Sequence, residues 1–168
     1  MLPLTLALSL LGADPTARYE SPAGGFSALF PGPVEEQTRT EATPAGPMTA
    51  HHFIAQTADL AFIVSFTDQS DAPVTAGEAL PRLRAARDAM GAGAKLSDQA
   101  ELFDKGRPIV HFKLQQDGTV MWVRMQLEGH RFFKVMVVGA PKASNDRAAA
   151  VFLSSFQLGA RKAASDGG

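Results

Sequence analysis

The feature that most restricts the fold is a series of β-patterned segments joined by turns too short to hold a crossover helix. Residues 95–103, 108–116, 119–127 and 131–138 each have the length and apolar patterning of a strand. Asp117-Gly118 separates the second from the third. A two-residue Asp-Gly link tolerates the left-handed backbone that a tight hairpin demands. Gly129-His130 marks another tight connection. Strands joined this way pair antiparallel. Earlier in the chain, 48–56 and 60–67 flank Thr57-Ala58-Asp59 as a further hairpin. Within 60–67, Leu60, Phe62, Val64 and Phe66 share one face, and Ala61, Ile63 and Ser65 share the other. Both faces carry apolar groups, so the sheet needs cover on each side.

The remaining segments fit around that sheet. Gly24-Gly25-Phe26-Ser27-Ala28-Leu29-Phe30-Pro31-Gly32-Pro33 reads as a strand over 24–30 with Phe26, Ala28 and Phe30 on one face, stopped by a Pro-Gly-Pro turn. Residues 34–43 are polar and threonine-rich, an exposed or edge strand, and Pro44-Ala45-Gly46-Pro47 is a turn. Thr75 with Glu78 makes a capping box for a helix. Ala76, Ala79, Leu80, Leu83, Ala86 and Met90 form its apolar side, with Arg82, Arg84 and Arg87 on a solvated face, and Gly91-Ala92-Gly93 ends it. Pro81 predicts a kink or a later start. Asn145 is expected to cap a short helix through Phe152, within the closing Val151-Phe152-Leu153-Ser154-Ser155-Phe156-Gln157-Leu158.

This order predicts an α+β domain with a mainly antiparallel sheet and helices on both faces, an α/β/α sandwich. The opening Gly-Gly-Phe-Ser-Ala-Leu-Phe-Pro-Gly-Pro-Val and the closing Phe-Leu-Ser-Ser-Phe-Gln-Leu resemble the PsbP-like, Ran-binding-MOG-type superfamily. More closely, the chain is similar to its small exported bacterial members. The resemblance spans residues 19–158 and rests on turn and core residues. Better-known members bind other proteins, so it implies a binding role. It carries over no site residue.

The domain plan is a signal peptide at 1–13, an extended lead-in at 14–22, one sandwich domain at 23–158 and a disordered tail at 159–168. Leu2 to Leu11 is an uncharged apolar run, suited to a signal-peptide core and short of the ~20 residues a membrane span needs. No Lys or Arg precedes it. Export to the periplasm or outside the cell is the expectation, checked by N-terminal sequencing of the exported protein. A chain of 168 residues buries enough surface to need no staple. The absence of cysteine removes disulfides, thiolate metal sites and cysteine nucleophiles. A net charge of −1 offers nucleic acid no electrostatic attraction.

Candidate chemistry is sparse. His51 and His52 are neighbours on a strand and point to opposite faces, so one metal cannot take both. No Gly-x-Ser-x-Gly elbow, phosphate loop or calcium loop is present. Catalytic residues, metal and cofactor are therefore each read as none. The one candidate surface is Trp122, Arg124 and Phe132, which a hairpin of 119–127 with 131–138 brings near one another as partner-binding anchors. The competing reading makes this face a second core layer beneath the closing helix, with Phe152 and Phe156.

The leading expectation is a non-enzymatic exported binding or accessory protein that recognises an envelope or extracellular protein. The alternative is a small-molecule or lipid carrier with a pocket between sheet and helix, and third is an enzyme with a hidden site. A flat exposed patch around Trp122 favours the first, a deep apolar pocket the second. Oligomeric state is left open.

Overall fold

The computed structural model describes residues 18–43, 46–69 and 74–159. The expected signal peptide, most of the lead-in, Pro44-Ala45 and the tail beyond Gly159 lie outside the described residues. In chain order the elements are β1 (Arg18–Ser21), β2 (Phe26–Leu29), β3 (Glu35–Thr43), β4 (Gly46–Gln56), β5 (Leu60–Asp68), α1 (Ala76–Met90), β6 (Lys95–Asp104), β7 (Arg107–Gln116), β8 (Thr119–Glu128), β9 (Arg131–Gly139), α2 (Ala143–Ser155) and β10 (Gln157–Leu158). Seven strands form one antiparallel sheet in the order β3-β4-β5-β9-β8-β7-β6. The other three form a small sheet, β1-β2-β10.

Turn chemistry sets the registers. Asp117 and Gly118 have φ of 50° and 75°, and Lys105 and Gly106 have 50° and 78°. Left-handed backbone at both central residues closes β7–β8 and β6–β7 with the twist their strands share. At the first loop, Gly25 has φ 68°. A Cβ on the neighbouring Gly24 would stand 2.6 Å from both the Phe26 ring and Ser21 Oγ, so this corner admits no side chain there.

The large sheet has two unlike faces. One buries an aromatic cluster that holds eight of the eleven phenylalanines, Phe26, Phe30, Phe53, Phe62, Phe66, Phe133, Phe152 and Phe156, together with Trp122. The small sheet and α2 close this face. The other face buries Val110, Phe112, Leu114, Val123, Met125 and Leu127 beneath Ala79 and Leu83 of α1.

The α/β/α sandwich expected from the sequence is overturned. Of the described residues, strands make up 57% and helices only 20%, in ten strands and two helices. A helical layer on each face needs far more helix than that. Here α1 lies mainly over β7 and β8, and the aromatic face is closed by a three-stranded sheet with α2 beside it. Backbone pairing near the two ends of the described chain made the difference. Residues 18–21 of the expected lead-in and residues 157–158 of the closing segment are drawn into pairing with β2, and together they make a second sheet.

Two local expectations also change. α1 runs from Ala76 through Pro81 without a later start, its first turn held by Glu78 Oε2, which accepts from the Thr75 N–H (3.1 Å) and hydroxyl (2.7 Å). Those bonds hold the Glu78 carboxyl below the usual carboxylate range. Asn145 does not cap α2. Lys142 occupies that position, and Asn145, inside the first turn, donates from Nδ2 to Ala140 O at 2.9 Å.

Polar ties fix the small sheet in place. Arg18 Nη1 donates to Ser155 O (3.1 Å), and the Leu29 N–H donates to Ser155 Oγ (2.9 Å). Tyr19 donates its hydroxyl to Glu36 of β3. Arg131, paired with Asp68 at 2.6 and 2.8 Å, donates to the carbonyls of Ala23 (3.0 Å) and Gly24 (2.8 Å). The Arg131 guanidinium also stacks 4.0 Å over the Phe66 ring.

Candidate functional site

The structure separates the three anchors expected from the sequence. Trp122 and Arg124 alternate onto the aromatic face of β8. The β8–β9 turn pairs Glu128 with Arg131, and so Leu127 with Phe132 and Trp122 with Val137. Phe132 therefore falls on the opposite face and packs with the α1 cluster. The two-residue turn held this signal: counting from it puts Phe133, not Phe132, on the face of Trp122.

Trp122 is only 7% exposed. Its Nε1 donates to Asp146 Oδ1 of α2 at 2.8 Å, and Lys113 Nζ of β7 donates to the same oxygen at 2.7 Å. These two bonds, the lysine's first, hold the Asp146 carboxyl below its ordinary range. Arg124 is buried as well. Its Nε and Nη2 donate to Gln126 Oε1 (3.0 and 2.8 Å), and Nη1 donates to Leu153 O (2.9 Å) in the last turn of α2. That turn has no basic residue of its own, so β8 supplies the cation its carbonyls favour. Both anchors of the expected surface thus hold α2 onto the sheet, and no flat exposed patch surrounds Trp122.

Beside them, between β6–β7 and α2, lies a groove of about 410 Å³ that brings together His111, Ser154, Asp98 and Asp146. The residue types suggest a hydrolase triad, but the bonding does not assemble one. Ser154 Oγ donates to Val151 O at 3.0 Å, and Asp146 is engaged by Trp122 and Lys113. Burial, then the nearby Arg124 guanidinium, push the His111 imidazole down to about 4, a poor match for a base working near neutrality. Ser155 Oγ donates to Phe152 O and accepts from Leu29, a structural role.

Two further histidines sit next to each other on β4. His51 stacks on Phe66 with ring centroids 4.7 Å apart and meets Thr38 Oγ1 at 3.3 Å, while His52 turns to the opposite face beside Ser65. Among the described residues no three of His, Cys, Asp and Glu gather as metal ligands, and no helix is long and apolar enough to cross a membrane.

One region was missed in the sequence reading. β6 is the last strand of the large sheet, and its outer backbone edge pairs with nothing among the described residues. Its register slips by one residue between Ser97 and Ala100, where Asp98 has φ 49°. Beyond the bulge, Ala100 to Asp104 pairs regularly with β7. That stretch shows Leu102 and Phe103 to solvent, 50% and 66% exposed, on opposite faces. Neighbouring charges are already matched: Glu101 takes a bidentate Arg84 at 2.7 Å, and Asp104 lies 3.8 Å from Arg107. A run of 95–103 read as an ordinary strand gives no hint that it ends the sheet.

No family model matches the chain, and none of the curated proteins does either.

Proposed function

We propose that this chain is a non-enzymatic binding protein that recognises another protein by adding an extended segment of it to the β6 edge. The observation that carries this reading is the pair of large apolar side chains, Leu102 and Phe103, displayed on an open sheet edge. An open edge offers a row of backbone donors and acceptors, which fits one class of occupant, an extended chain. Side chains alternate along that chain, so one would meet Leu102 on one face and the next Phe103 on the other. Natural sheets guard such an edge with charge, bulges or a short strand; here the bulge leaves Ala100 to Asp104 regular, and Glu101 and Asp104 are matched by arginines. The partner chemistry that follows is an extended, alternately apolar segment. The apolar run at residues 2–11 supports a setting outside the cytoplasm, in the periplasm or beyond.

Panning a displayed peptide library against the purified protein tests this. The expected result is enrichment of alternating apolar sequences that slow amide exchange over residues 100–104. A variant carrying Leu102→Lys and Phe103→Lys should lose that binding while its melting temperature stays unchanged, since both side chains are largely in water. Enrichment indifferent to the double substitution, or no enrichment, overturns the reading. A dimer in sedimentation that the double substitution dissolves overturns it too, and gives the edge to a second copy of the chain.

A further inference from the structure

α2 has a second flank. Ser144, Arg147, Ala148, Val151 and Phe152 recur at helical spacing along it. With Leu29, Pro31 and Phe62 they line a groove of about 360 Å³. Its floor is the edge-to-face pair Phe62 and Phe152, with ring centroids 5.2 Å apart. Val151, 55% exposed, forms the lip, one of three large hydrophobics so exposed among the described residues. The volume is about twice that of the ~150 Å³ apolar cavity that accepts benzene. The groove suits a short alkyl chain or one or two rings.

Arg147 gives this apolar groove a charge. It is exposed and lines the rim, and its side chain makes no hydrogen bond or ion pair among the described residues. The carboxylates close by in the chain or fold are taken: Asp146 by Trp122 and Lys113, Asp59 by Lys142 at 3.4 Å. An apolar trough ending in an uncommitted guanidinium complements an apolar body that carries one anionic end.

We infer that this groove binds a small anionic amphiphile, an alkyl or aryl carboxylate, with its apolar body over Phe62 and Phe152 and its carboxylate on Arg147. The site is separate from the β6 edge and stands without it. It also gives the carrier alternative a definite place and ligand class.

Titrations of the isotope-labelled protein with octanoate, octylammonium and octanol, followed by amide shifts, test the assignment. Octanoate should shift Leu29, Ala148 and Val151 and bind about tenfold tighter than octylammonium at low salt, with the gap narrowing as salt is added. Hexanoate should bind more weakly than octanoate, by up to about fourfold per methylene. Arg147→Gln should erase the preference for the anion while octanol binding persists. Val151→Asp should weaken octanoate about tenfold. Equal binding of octanoate and octylammonium overturns the inference, as do shifts outside the groove or a preference that survives Arg147→Gln. Both substitutions are at exposed positions, and unchanged melting temperatures confirm that the fold is intact.

Discussion

The two faces of the seven-stranded sheet are built on different principles. Beneath α1 the contact is mostly aliphatic, with Leu83 and Ala79 set into Val110, Leu114, Val123 and Met125 and with Phe112 and Phe132 as its aromatic members. The opposite face is aromatic, and it carries Arg124, Gln126, Asn145 and Ser155, four of the six buried polar residues. One face is a simple hydrophobic seal, the other a packed core threaded by hydrogen bonds. An aliphatic contact is tolerant of rearrangement, whereas a buried polar network holds its helix in one place. The structure puts both α2 grooves on the face whose helix is held this way.

The largest expected effect tests the aromatic core. Phe152→Ala removes a ring that touches Phe30 and Phe62 and should cost about 4 kcal/mol in urea unfolding. Leu83→Ala on the α1 face should cost about 2–3 kcal/mol, because it removes a smaller side chain and leaves a smaller cavity. Equal losses would erase the difference between the faces.

The polar network comes next. Gln126→Leu strips Arg124 of the acceptor for two of its nitrogens and should cost about 3 kcal/mol. Adding Arg124→Met to it should recover much of that loss, since no buried charge is then left short of a partner. A double variant no more stable than Gln126→Leu alone would show that the charge itself, rather than its satisfaction, holds α2.

The smallest effect is a pH dependence on the aromatic side. His111 in the folded protein titrates at about 4, against 6.5 for an ordinary imidazole. The unfolded chain therefore takes up its proton first as pH falls. Stability from this group is complete above pH 6.5 and drains away between 6.5 and 4. The ring is partly wet, which limits the loss to about 1–2 kcal/mol. His111→Gln should flatten the difference between unfolding at pH 7 and at pH 4.5. An unchanged slope would place the acid sensitivity elsewhere.

Much of this was readable from local pattern. The strands from β3 to β9 lie within a residue or two of the alternating segments, and Asp117-Gly118 makes the hairpin its residue types demand. The apolar side of α1 packs inward as its spacing dictates. Other features resisted because their causes are distant in sequence. Phe132 changed faces through a register counted from Gly129-His130. Two-residue β10 exists only because β2 pairs with it. The sharing of Asp146 between Trp122 and Lys113 joins β7, β8 and α2.

The sequence by itself determined a strand-dominated antiparallel domain, since alternation and turn chemistry act within a few residues. Only the tertiary structure decided that β6 would end the sheet opposite β3, which face each aromatic group joined and that Arg147 would find no side-chain partner among the described residues. Those outcomes depend on strand order, register and helix placement, which arise when the whole chain competes to bury its apolar surface.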